Sequence, residues 1–121
     1  MNVQLTVGQT KTFSVEILRP DLTPDTSYRG LAFPNGSNHA VSDDGSSKAL
    51  IDRDAGTVAV RGMRPSPIGT DGTPDVSTYV LVVETATPED PSRRVPVYLR
   101  DCTVNVRVVD PTASNFAYTQ V

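Results

Sequence analysis

A chain of 121 residues with 14 acidic and 11 basic side chains carries a formal charge of −3 and a pI near 4.9. That length supports one domain with a single core, and the charges are scattered, so neither nucleic acid nor an anionic membrane is expected as a partner. Cys102 is the only cysteine, which excludes an intramolecular disulfide and leaves packing to hold the fold.

Taken in chain order, Val3, Leu5 and Val7 alternate with Asn2, Gln4 and Thr6, the period of a strand with one buried face. Gly8-Gln9 turns the chain into a second alternation, Phe13, Val15 and Ile17 against Thr12, Ser14 and Glu16. Pro20 and Pro24 close that strand and open a polar loop to about Tyr28, because proline cannot donate to a ladder. The apolar group Gly30-Leu31-Ala32-Phe33 runs into a turn at Asn35-Gly36, and Asp44-Gly45 and Asp54-Ala55-Gly56 supply two more turns. A strand follows with Val58 and Val60 inward. Residues 63–76, with three prolines and two glycines, read as a surface loop.

Tyr79, Leu81 and Val83 share one face while Val80 and Val82 are apolar on the other, the pattern of a central strand covered on both sides. A charged turn over 87–94 leads to Val95, Val97 and Leu99, then to Val104, Val106 and Val108, with Pro96 placing the first part on a sheet edge. No segment sustains helical spacing. Seven or eight short strands separated by turn signals predict an all-β, immunoglobulin-like sandwich over residues 1–110, followed by a tail at 111–121.

Particular stretches carry a family resemblance. LTVGQTKTFSVEI is similar to the opening of bacterial immunoglobulin-like domains of the second group, whose first strands carry a valine-glycine-glutamine-threonine step. ALIDRDAGTVAVRGM resembles their segment in which a turn glycine leads into a valine strand and another glycine, and TYVLVVET and CTVNVRVVD resemble their two closing strands. The resemblance spans about residues 3–110. The family's tryptophan after the second strand is missing, with Phe33 the nearest substitute, and the segments 64–76 and 86–94 lengthen loops that the family keeps short.

No residue set declares a catalytic centre, and no enzyme activity, cofactor or metal is expected. His39 lies beside a turn with no nucleophile-elbow serine or cysteine in the sequence to serve, so it reads as a solvated loop histidine. Cys102 shares parity with Val104, Val106 and Val108 and is expected to fill the core as a small, unreactive hydrophobe. Asp52, Asp54 and Gly56 begin like a calcium loop, but Thr57 and Met63 stand where such a loop needs its glycine and glutamate. Hairpin turns account for them, with calcium held between separate loops left open. The arginines at 61, 64, 93 and 94 form no stripe with interleaved aromatics. Tyr28, Tyr79 and Tyr98 offer either a sugar-stacking platform or core contacts, the latter preferred for the two strand tyrosines.

After Asp110-Pro111 the pattern breaks into a tail in which Phe116, Tyr118 and Val121 are isolated apolar residues. The tail reads either as a disordered terminus or as an intersubunit arm anchored by those three side chains. The chain opens at methionine with no export signal, and a disulfide-free adhesin-like domain made in the cytoplasm has a common route outward in a phage particle released by lysis. The expected function is therefore that of a virion structural protein. A decoration or cement protein on the capsid surface, bound to the major capsid protein or other virion proteins and homo-oligomeric, comes first, with a tail or baseplate accessory as a variant. The alternative is a carbohydrate-binding or adhesion module from a larger secreted bacterial protein, with a host-surface glycan as partner.

Overall fold

The computed structural model describes residues 1–25, 30–86 and 94–110, of which 85–86 and 94–101 are described by backbone only. Eight strands run in chain order: β1 (Asn2–Thr6), β2 (Thr10–Ser14), β3 (Gly30–Ala32), β4 (His39–Val41), β5 (Ser47–Asp52), β6 (Thr57–Gly62), β7 (Ser77–Ala86) and β8 (Arg94–Val109). They form two four-stranded sheets, ordered β1-β8-β7-β3 and β2-β6-β5-β4, with no helix among the described residues. The expected β-sandwich is present.

The alternation in the sequence becomes the core. Val3 and Leu5, Ala49 and Ile51, Val58 and Val60, Tyr79, Leu81 and Val83, and Val104, Val106 and Val108 are all buried and belong to one cluster with Leu31 and Phe33. Each such aliphatic side chain contributes about 1.5–3 kcal/mol relative to exposure. Phe33 is 4% exposed and tilts against Tyr79 with ring centroids 6.0 Å apart, so it fills part of the intersheet space as an aromatic. The Asn35-Gly36, Asp44-Gly45 and Asp54-Gly56 turns stand where the sequence places them, each with its glycine at positive φ.

Several expectations shift in detail. Val7 is 42% exposed because the strand ends at Thr6, where Gln9 N–H donates to the Thr6 carbonyl and closes the turn. The second strand stops at Ser14. Val15 and Ile17 still pack on the core, and Val15 N–H donates to the Gly56 carbonyl at 2.8 Å. β7 is central in its sheet, yet only Val82 on its second face is fully buried, while Val80 is 39% exposed. β1 pairs only with Asn105–Val109, so the half of β8 that holds Pro96 has β7 as its sole described neighbour, which satisfies the edge expectation. Cys102 packs against the cluster on the expected face but is half-buried, beside the register shift that separates the Val80–Thr103 and Val82–Tyr98 pairs.

Two structural facts set the ends of the sandwich. β1 runs parallel to β8, from Asn2 opposite Asn105 to Thr6 opposite Val109, so the first and last strands finish together. β2 runs antiparallel to β6, so the segments that leave their C-terminal ends depart from opposite ends of the same sheet. Gly62 closes β6 where the two sheets approach: a Cβ there would meet the Thr6 carbonyl oxygen at 2.5 Å and Val108 Cγ1 at 3.1 Å.

Candidate partner-binding surfaces

The two departing segments both cross from the β2-containing sheet to the β1-containing sheet, and both fold into the same small hairpin. In the first, Leu18 bridges Pro24, Arg19 N–H donates to the Thr23 carbonyl, Leu22 N–H to the Arg19 carbonyl and Asp25 N–H to the Ile17 carbonyl, each at 2.8 Å. In the second, Ile68 bridges Pro74. Gly69 N–H donates to the Thr73 carbonyl at 2.8 Å, Gly72 N–H to the Gly69 carbonyl at 3.0 Å and Asp75 N–H to the Pro67 carbonyl at 2.7 Å. The signal was in the sequence: Asp21-Leu22-Thr23-Pro24-Asp25 and Asp71-Gly72-Thr73-Pro74-Asp75 repeat at an offset of 50 positions. The loop expected from Pro20 to about Tyr28 and the one expected over 63–76 show their prolines in the sequence, and the likeness lies in this repeat.

An aspartate–threonine clamp holds each tip. Asp21 Oδ1 accepts from Thr23 N–H at 3.1 Å and from the Thr23 hydroxyl at 2.6 Å. Asp71 accepts from Thr73 N–H at 3.0 Å and, through Oδ2, from the Thr73 hydroxyl at 2.8 Å. These bonds favour the ionised carboxylates. The Thr23 hydroxyl lowers Asp21 below the ordinary carboxylate range, and the Thr73 N–H and hydroxyl do the same for Asp71. After the turn, the chain passes through a residue at positive φ, Leu22 at 69° and Gly72 at 79°. Leu18, Leu22 and Ile68 are exposed, Leu22 to 76%.

At the end that carries the second hairpin, a polar knot ties the sheets together. Asp44 accepts from the Ser42 hydroxyl at 2.8 Å, from Ser46 N–H at 2.9 Å and the Ser46 hydroxyl at 2.6 Å, and through Oδ2 from the Ser77 hydroxyl at 3.1 Å. Burial pushes this carboxyl upward, but the bonds from Ser46, Ser42 and Ser77 outweigh it and hold the pKa at about 2. Arg64 donates to the Asp44 carbonyl at 2.6 Å, and Ser47 and Tyr79 join their hydroxyls across the sheets at 2.8 Å. Burial raises the Tyr79 phenol above its usual range, so that hydroxyl stays neutral. Ser66, 3% exposed, exchanges two bonds with Val108, its N–H to the Val108 carbonyl and its hydroxyl receiving Val108 N–H, both at 2.9 Å.

The other candidate residues lie apart from one another. His39 is exposed on the short strand β4, beside the Ser37 hydroxyl at 3.3 Å. Burial raises the Cys102 thiol above its usual range, which disfavours the thiolate. Asp52 Oδ1 accepts from Asp54 N–H and Ala55 N–H, both at 3.1 Å, which is turn chemistry. Asp44 and Asp43 border a cleft with Ser42, Asp75, Ser77, Thr78 and Tyr79. Among the described residues no three His, Cys, Asp or Glu side chains are grouped to hold a metal ion. Tyr79 is a core residue. Tyr28, the side chain of Tyr98, the turn at 87–93 and the tail with Phe116, Tyr118 and Val121 lie outside the described residues. Comparison with known protein families, curated proteins and solved structures finds no match.

Proposed function

We propose that this protein is an adhesive structural module, a virion decoration or cement protein that binds other virion proteins on the capsid surface. The resemblance of its strands to bacterial immunoglobulin-like domains supports an adhesive role. The observation that carries the reading is the division of labour between polar and apolar groups at the ends of the sandwich. Asp21 and Asp71 are occupied by hydroxyls and amides of their own turns, and Asp44 by its own turn and by Ser77, whereas Leu18, Leu22, Met63, Ile68 and Val76 are turned to solvent. A site that binds or transforms a small polar substrate needs convergent polar groups still able to bond it, while apolar side chains on a rigid frame suit protein surfaces.

A decoration protein needs on the order of 1,000 Å² of contact at each site, and repetition over a lattice multiplies a modest single-site affinity. The test is mass spectrometry of purified particles from a lysate of the cells that make the protein. The chain is expected at a stoichiometric ratio to the major shell subunit. Recovery only in the soluble fraction, or as part of a longer secreted polypeptide, would replace this reading with that of an excised carbohydrate-binding or adhesion module.

A further inference from the structure

We infer that the outer face of the β1-β8-β7-β3 sheet carries a site for an acidic sugar, a uronic acid residue whose carboxylate pairs with Arg107 and whose hydroxyls bond the amides of Gln4 and Asn2. The site goes beyond the adhesive reading and stands without it.

Strand register builds the site. Side chains that alternate with the core residues of β1 and β8 lie on the outer face, and the parallel pairing sets them in two rows, Asn2 beside Asn105 and Gln4 beside Arg107. The first row is closed. The Thr78 hydroxyl, opposite Asn105 on β7, donates to Asn105 Oδ1 at 2.8 Å, and Asn105 Nδ2 donates to Asn2 Oδ1 at 3.0 Å, which orients both amides and leaves Asn2 Nδ2 as a donor. The second row is open. Among the described residues the Gln4 amide and the Arg107 guanidinium form no hydrogen bond or salt bridge, and Arg107 Nε is buried without a partner. Both rows, with Val3 and the exposed Val76, line a cleft of about 310 Å³, at the lower end of the range of small-ligand sites.

The charge selects an anion. A guanidinium with one edge out of water is incompletely solvated, and a planar carboxylate answers its remaining N–H groups in parallel. Asp71 is near enough for Arg107 to help lower its carboxyl, yet its two oxygens accept from the Thr73 N–H and hydroxyl, and it forms no salt bridge with Arg107.

The surroundings of the charge select a sugar. Gln4 lies about 5 Å from Arg107 across the strand pair and Asn2 about 7 Å from Gln4 along β1, a spacing that a pyranose ring with a carboxylate and neighbouring hydroxyls can span. An amide both donates and accepts, as a hydroxyl does, whereas an acidic peptide side chain would use the arginine and leave the amides unanswered. Val76 offers an apolar wall to the C–H face of the ring.

The test is an NMR titration of the full chain with sodium glucuronate, read at backbone amides. Saturable shifts confined to residues 2–4, 76–78 and 105–107 are expected. Glucose, which lacks the carboxylate, and acetate, which lacks the hydroxyls, should each bind about tenfold more weakly or less well still. Arg107→Gln should weaken glucuronate binding about tenfold or more, and Gln4→Ala, a change at an exposed side chain that leaves the fold intact, about threefold to tenfold. Lys48→Gln, on the other sheet, should leave binding unchanged. Acetate binding as tightly as glucuronate would reduce the cleft to an anion site and overturn the sugar. Absent or scattered shifts, or equal weakening by Lys48→Gln, would overturn the site itself. Glucuronate binding by a chain that is missing from purified particles would keep this site and remove the virion reading, and a particle-borne chain without the shifts would do the reverse.

Discussion

The hairpins at 17–25 and 67–75 have the same hydrogen bonds and differ in what sits at their left-handed residue and in how they are tied to the sandwich. Gly72 is suited to φ 79°, whereas Leu22 adopts φ 69° with a side chain that favours other conformations. The difference teaches that the aspartate–threonine clamp and the cross-hairpin amides fix the backbone, with glycine an optional relief. The second contrast is in attachment. The first hairpin follows a main-chain bond from Val15 to Gly56, while the second is fastened by the buried Ser66, whose hydroxyl and amide both engage Val108. The residue equivalent to Ser66 in the first hairpin is Glu16, which is exposed.

The sharpest way to break the apparent equivalence is through these anchors. Ser66→Ala leaves Val108 N–H buried without its acceptor and should lower stability by about 1–3 kcal/mol in urea unfolding, with an unchanged m-value. Glu16→Ala should stay within about 0.5 kcal/mol of the parent, as exposed substitutions do. Similar losses at both positions would mean that the two hairpins are held alike.

Next in size are the left-handed positions. Gly72→Ala should cost about 1 kcal/mol, because a Cβ at positive φ is strained even though nothing lies within 4 Å of it. Leu22→Gly should gain about 0.5–1 kcal/mol, strain relief being partly offset by the greater chain entropy of glycine. Opposite signs sharpen the comparison, and a loss in both would show that Leu22 has found contacts of its own.

The polar knot at the second hairpin's end makes that end sensitive to acid. Asp44 titrates at about 2 when folded against an ordinary value of 3.8, so its contribution is complete above about pH 4 and is lost as the pH falls toward 2. The shift corresponds to about 2.5 kcal/mol at full value and, since the carboxylate is only partly buried and solvent still screens it, to about 1 kcal/mol after that discount. Asp44→Asn should flatten this part of the stability profile measured by thermal melts between pH 2 and 5. An equally steep profile in the variant would assign the acid sensitivity elsewhere.

The smallest effect concerns the clamps themselves. Thr23→Val and Thr73→Val should each let the neighbouring carboxyl, Asp21 or Asp71, rise toward the ordinary carboxylate range in a side-chain NMR titration. Rises at both are expected, with Asp71 still held down in part by the nearby Arg107. A rise at Asp71 alone would show that the first hairpin depends on Pro20 and its main-chain bonds instead.

Alternation by itself determined which side chains build the core. Val58 with Val60, Tyr79 with Leu81 and Val83, and Val104 with Val106 and Val108 were readable because a strand places every second residue on one face. Turns at Gly36, Gly45 and Gly56 were equally plain, since Asn-Gly, Asp-Gly and Asp-Ala-Gly sequences supply a glycine for positive φ locally. What only the tertiary structure decided is non-local: the parallel union of β1 with β8, the shift that leaves Cys102 half-buried, and the placement of two like hairpins at opposite ends. The Asp-x-Thr-Pro-Asp repeat was visible in the sequence, but its meaning depended on strand direction. Hydrogen bonds between residues a hundred positions apart leave no periodicity in the chain, and a loop's end of the sandwich is set by which strands pair.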